Sequence, residues 1–217
     1  ANTVTKSKRM LQFITHRNGR FDEISGTRAV LEGGCRWVQL RMKEASEEEF
    51  LRTGAEVGRL CRACGATFLL DDRVELVHRL GADGVHLGKN DMPPREARAL
   101  LGPGKIIGAT ANTFEDIERA AAQGADYIGL GPFRFTRTKE KLSPILGMEG
   151  YREILARCAE RGLRLPVVAI GGITAADIDA LMATGIAGIA LSGALLGAED
   201  PAAETEKIAN IIKKYKP

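Results

Sequence analysis

The feature that most constrains this chain is a regular alternation of eight short apolar runs with longer amphipathic stretches. In order the runs are "MLQFIT", "CRWVQLRMK", "TFLLDD", "GVHLG", "KIIGAT", "DYIGLGP", "PVVAIGG" and "AGIALSG". Their lengths suit strands, and several show little polar alternation, as strands do when both faces are covered. Stretches such as "FDEISGTRAVLEGG", "SEEEFLRTGAEVGRLCRAC", "MPPREARALLG", "TFEDIERAAAQG" and "TAADIDALMATG" have helical spacing instead. Ser46 with Glu49, Thr113 with Asp116 and Thr174 with Asp177 have the spacing of capping boxes. Glycines stop the helical patterns at "LEGG", "AAQG", "CAERG" and "MATG".

Eight strand–helix units in 217 residues allow about 27 residues each, compact but workable for a closed α/β barrel, the (β/α)8 TIM barrel. The rival is a doubly wound open sheet, which would show fewer strands and a phosphate loop near its start. No GxGxxG follows the first run, and no linker or low-complexity segment interrupts the pattern. The expectation is one barrel domain over residues 1–217. Residues 1–9, polar and basic, are read either as a flexible N-terminal tail or as a cover for the barrel bottom.

Lys plus Arg is 31 and Asp plus Glu is 28, a net charge of +3. That balance gives no nucleic-acid or membrane footprint. No apolar run is long enough to span a bilayer and no secretion signal is visible, so a cytoplasmic location is expected. Cys61 and Cys64 have CxxC spacing, but no second pair or nearby histidine completes a zinc site. Helix packing is the simpler reading, and Cys35, Cys158, His16 and His78 are likewise read as packing or rim residues. A homo-oligomer is compatible with the sequence.

In a barrel, function gathers at the C-terminal strand ends. Gln39, Arg41 and Lys43 end the second strand and, alternating along it, would share one side. Asp71 and Asp72 end the third, His86 lies on the fourth before Lys89, Asn90 and Asp91, and Thr110 and Asn112 end the fifth. Gly171 and Gly172 precede a helix start at Thr174, and Ser192 and Gly193 follow the eighth run. Backbone N–H groups there suit a phosphate, helped by the helix end; tight turns are the plainer reading. Arg41, Lys43 and Lys139 suit a polyphosphate, with Mg2+ bridging its oxygens to Asp72 and Asp91. A ligand-free salt-bridge network is the alternative, disfavoured by the convergence of all these groups on one rim.

The segments "GGCRWVQLRMK", "LLDDRVELVHRLGADGVHLGKNDMP", "IIGAT", "GADYIGLGPFRFTRTK", "PVVAIGGI" and "GIALSGAL" together resemble the thiamine phosphate synthase family, in order across nearly the whole chain. The resemblance implies a Mg2+-using barrel transferase. It would join hydroxymethylpyrimidine diphosphate to thiazole phosphate, or its carboxylated form, releasing pyrophosphate and giving thiamine phosphate. It further implies that Arg41, Lys43 and Lys139 hold the diphosphate and Asp72 and Asp91 the metal. Gln39, Thr110 and His86 would face the pyrimidine and Thr136 and Thr138 the thiazole phosphate, cradled by Gly172, Leu191 and Ser192. Residues 133–146 would form a lid. Two departures stand out: Asp71 replaces the family's usual Asn, and Thr110 stands where Ser is frequent. An ionised Asp cannot donate to a diphosphate oxygen, so Asp71 would turn away, bind a cation or weaken the diphosphate site. The competing functions are a like-folded thiazole tautomerase and a non-catalytic phosphate-binding barrel.

Overall fold

The computed structural model describes residues 10–134 and 144–215. Eight parallel strands close on themselves in sequence order: β1 (Leu11–Ile14), β2 (Trp37–Leu40), β3 (Thr67–Asp71), β4 (Gly84–Leu87), β5 (Ile106–Ala111), β6 (Tyr127–Leu130), β7 (Val167–Ala169) and β8 (Gly188–Leu191). The helices are α1 (Glu23–Glu32), α2 (Glu47–Cys64), α3 (Val77–Leu80), α4 (Pro94–Leu101), α5 (Phe114–Ala122), α6 (Gly147–Glu160), α7 (Ile178–Met182), α8 (Gly193–Leu196) and α9 (Pro201–Lys213). This is the (β/α)8 barrel that the eight runs predict.

Strand side chains alternate between two cores. Phe13, Val38, Leu40, Phe68, Leu70, Val85, Ile107, Ile128 and Leu130 face outward into the layer shared with the helices. Ile14, Trp37, Leu69, Ile106, Tyr127, Val168 and Ala190 fill the barrel interior. Both parities are apolar over most of each strand, which is why the runs read as nearly continuous. Towards the C-terminal ends the inward parity turns polar, and this is what builds the site.

The caps largely follow the sequence. Ser46 accepts from Glu49 N and Thr113 from Asp116 N, while Thr174 N donates to Asp177. Neither of the first two closes reciprocally in the way a full box would. Asp116 turns instead to Asn112 N and Lys89. A box between Asp22 and Ser25, not read from the sequence, opens α1. The predicted glycine stops at Gly34, Gly124, Gly162 and Gly185 all have positive φ, the left-handed conformation that costs glycine least. Cys61 is buried on α2, three residues from half-buried Cys64, as helix packing predicts, while His78 is exposed on α3.

Candidate active site

On β3 and β4, inward parity carries Leu69 to Asp71 and Gly84 to His86, and Asp71 is paired in register with His86. On β5 it carries Ile106 through Gly108 to Thr110. Gln12 and Gln39 occupy the corresponding positions on β1 and β2. Five of these polar residues are linked. Gln39 Nε2 donates to Gln12 Oε1 at 2.7 Å, and Gln12 Nε2 donates to the Tyr127 hydroxyl at 3.3 Å. That hydroxyl lies 2.7 Å from His86 Nδ1, and His86 Nε2 lies 2.9 Å from Thr110 Oγ1. Gln12, Gln39, Tyr127 and His86 are all buried, so leaving their polar atoms unpaired would cost about 1–3 kcal/mol each.

Beside this network stand the carboxylates. Burial pushes the Asp71 carboxyl up to about 6; Arg41 and Lys43 oppose that shift, while Asp91 and Asp72 add to it. Asp72 is raised as well, first by burial and then by Asp91. The three acids and two cations therefore share one electrostatic neighbourhood, and Asp71 has not turned away from it. Asp91 accepts from Gly88 N at 2.7 Å through Oδ2. Among the described residues, Arg41 and Lys43 form no ion pair.

Asp72 owes its place to a strained turn. Asp72 and Arg73 have φ of 58° and 54°, a left-handed conformation that costs a residue with a side chain about 1–2 kcal/mol. Arg73 offsets the strain by donating to Met42 O at 3.1 Å and Ala45 O at 2.7 Å, its guanidinium 4.6 Å from the centre of the Phe50 ring. The β3 turn is thus tied to the β2–α2 loop that carries Lys43. Sequence reading missed Arg73, Gln12 and Tyr127; "DDR" gave no sign of positive φ, and the two interior residues resembled ordinary strand positions.

At the opposite rim, Gly171 and Gly172 have φ of 98° and 67°. A Cβ at Gly171 would also meet Pro132 Cα at 2.8 Å, so conformation and space both require glycine. Arg134 clasps this turn, donating to Gly172 O and to both Asp177 carboxylate oxygens at 2.7–2.9 Å. Ser192 donates to Ile14 O at 2.8 Å, and its Oγ lies 2.6 Å from His16 Nδ1. Burial lowers the His16 pKa, opposed by Glu23.

Three expectations are corrected. β2 ends at Leu40, so Arg41 and Lys43 lie in the following loop rather than along one strand face. The helix expected at Thr174 is a 3-10 turn, Ala175–Asp177, leading into five-residue α7; such a short element has little macrodipole to offer an anion. Leu191 faces outward into the strand–helix core, leaving only its backbone for a ligand at the mouth. Thr136, Thr138 and Lys139, most of segment 133–146, and residues 1–9 lie outside the described residues. The ends of that segment meet, Leu146 N donating to Pro132 O and Gly147 N to Phe133 O.

Fold and strand-end chemistry define a (β/α)8-barrel enzyme with its polar apparatus at the C-terminal mouth. Residues 11–195 match the family model "Thiamine monophosphate synthase". The chain is 59% identical over 201 residues to the thiamine-phosphate synthase of Bacteroides fragilis, covering 93% of this chain and 98% of the relative. It is 57% identical over 206 residues to that of Bacteroides thetaiotaomicron, covering 95% and 99%. The solved structure of thiamine phosphate pyrophosphorylase from Pyrococcus furiosus superposes with a TM-score of 0.86 at 36% identity, covering 97% of this chain and 98% of that one. A 3-hexulose-6-phosphate synthase, at 18% identity and a TM-score of 0.64, shares the fold. The chain belongs to the thiamine monophosphate synthase family and is a transferase that forms thiamine phosphate. Among the described residues, no helix is long and apolar enough to cross a membrane.

Proposed function

We propose that the mouth joins hydroxymethylpyrimidine diphosphate to thiazole phosphate, or its carboxylated form, with Mg2+ shared between the protein and the departing diphosphate. The observation that carries this reading is the electrostatic neighbourhood of Asp71, Asp72, Asp91, Arg41 and Lys43. Burial first, and then the Asp91 charge, raise the pKa of both Asp71 and Asp72, a repulsion that a divalent cation relieves. No group of three or more His, Cys, Asp or Glu poised for a metal exists among the described residues. That fits Mg2+, which commonly takes one or two carboxylates, retained waters and substrate phosphate oxygens rather than a complete protein cage.

In this reading Asp72 and Asp91 would hold the ion, and it would supply charge neutralisation for the leaving diphosphate. Arg41, Lys43 and Lys139 would hold the diphosphate, Arg as a fork and Lys as a compact charge. Stabilising that charge promotes a dissociative departure, since the aminopyrimidine ring accommodates positive charge on its exocyclic carbon. Gln39, His86 and Thr110 hold the pyrimidine, with Asp71 beside them in the substrate site. Thr136, Thr138, Gly172, Ser192 and the Leu191 backbone hold the thiazole phosphate so that its nitrogen meets that carbon. No protein nucleophile is required.

The test is product formation from both halves, with and without Mg2+. Equal yields of thiamine phosphate and pyrophosphate only with metal are expected. Full turnover in excess chelator would remove Mg2+ from the scheme, and isomerisation of the carboxylated thiazole without joining would point to the tautomerase.

A further inference from the structure

The chain of hydrogen bonds across the barrel takes its direction from the amide orientations of Gln39 and Gln12. It joins five strands, β2, β1, β6, β4 and β5, through Gln39, Gln12, Tyr127, His86 and Thr110. Two glycines make room for it. A Cβ at Gly108 would lie 2.2 Å from the Tyr127 ring, and one at Gly129 would lie 2.9 Å from His86 Cε1. The Tyr127 phenol keeps its proton, because burial drives its pKa up and nearby Asp71 adds to the shift. Its oxygen accepts from Gln12 Nε2, and the partner within reach of its one hydrogen is His86 Nδ1, 2.7 Å away. An Nδ1 that accepts leaves the neutral ring's hydrogen on Nε2, which then donates to Thr110 Oγ1. The hydroxyl hydrogen of Thr110 is thereby turned away from His86. At the other end Gln39 spends an N–H on Gln12 and keeps its Oε1 outside the chain.

We propose that Gln12 and Tyr127 are positioning residues that hold His86 in its Nε2–H tautomer. The mouth then presents a hydroxyl donor at Thr110 and a carbonyl acceptor at Gln39. That pairing selects a nitrogen heterocycle with one accepting ring nitrogen and one donating amino group. Neither Gln12 nor Tyr127 touches the substrate; each acts through a neighbour. The reverse polarity satisfies the same five residues, with every bond flipped, His86 carrying its hydrogen on Nδ1 and the mouth offering the opposite pair. The amide orientations of Gln12 and Gln39 select the first direction. This inference rests on the proposed assignment of Gln39, His86 and Thr110 to the pyrimidine.

The experiment is 15N NMR of the histidine side chains in the full-length chain, which has three histidines to assign. Nδ1 of His86 is expected to show the shift of an unprotonated acceptor and Nε2 that of an N–H. The opposite pattern overturns the proposal, and this reading needs no variant. Tyr127→Phe keeps the ring and removes the relay, so the His86 resonances are expected to move towards a tautomer mixture. Its KM for the pyrimidine diphosphate should rise about tenfold, the effect of one hydrogen bond, with kcat and the KM for thiazole phosphate within about threefold. Resonances unchanged in Tyr127→Phe overturn the relay. If the tautomer is as proposed but saturating pyrimidine diphosphate leaves the His86 shifts unmoved, the relay stands and the placement of the pyrimidine fails.

Discussion

Replacing Gly108 with alanine puts one methyl group where the Tyr127 ring passes. A Cβ there would lie 2.2 Å from both Cε1 and Cζ of Tyr127 and 2.5 Å from its hydroxyl oxygen. Non-bonded carbons rest at about 3.5 Å or more, so ring or strand must retreat by roughly 1 Å. Tyr127 has little room to do so. It is buried, Trp37 packs edge-on at 5.1 Å, and its hydroxyl is held by His86 and Gln12. Overpacking a rigid core costs about 1–3 kcal/mol, and this site belongs near the top of that range. For 217 residues, each kcal/mol is worth about 2 °C, so Gly108→Ala should melt roughly 4–6 °C lower. Thermal and urea unfolding measure it against Gly19→Ala, a position with nothing within 4 Å of the added carbon. The variant should also share the Tyr127→Phe rise in KM for the pyrimidine diphosphate, because the same hydroxyl is displaced. A melting point within 1 °C of the parent would refute the claim that the ring passes over Gly108.

The acids give two further tests. With divalent cations removed, ionised Asp71 is a burden absent below the ordinary carboxylate value and complete above its raised pKa of about 6. Asp71→Asn should therefore stabilise the protein at pH 8 by on the order of 2–3 kcal/mol and barely at all at pH 4; equal gains at both would contradict the assigned cause. Asp177 works in the opposite sense, held at about 2 by Arg134 first and then opposed by burial. Its stabilisation is complete above the ordinary carboxylate value and lost as pH falls through about 2. Because the Arg134 side chain is 47% exposed, screening leaves roughly 1 kcal/mol. Asp177→Asn should lower the melting point by about 2 °C at pH 7 and leave it unchanged near pH 2, and an equal loss at both would exclude the ion pair as its source.

Much of the site was legible because strand ends in a barrel are short and their polar residues have few other reasons to be there. Asp71, Asp72, His86, Asp91 and Thr110 could be gathered on one mouth from their places at the strand ends alone. Leu191 was not legible in the same way, since its inward or outward parity depends on where β8 starts. Arg41 and Lys43 were assigned to a strand face because spacing alone does not reveal that β2 stops at Leu40. Arg73 was passed over because its work is to bind Met42 O and Ala45 O, carbonyls some thirty residues away. Gln12 and Tyr127 sit inside strands, where a glutamine and a tyrosine carry no local signal of partnership.

By itself the sequence determined the number of strand–helix units, the positions of most helix caps and stops, and the family. Each depends on side chains close in the chain, or on residue types matched in order. Only the tertiary structure decided which residues share the barrel interior and which glycines admit Tyr127 and His86. It also joined Gln39, Gln12, Tyr127, His86 and Thr110 in one hydrogen-bond chain. Closing the sheet brings five strands within reach of one another, and a hydrogen bond between β1 and β6 is a property of that closure that no local spacing encodes.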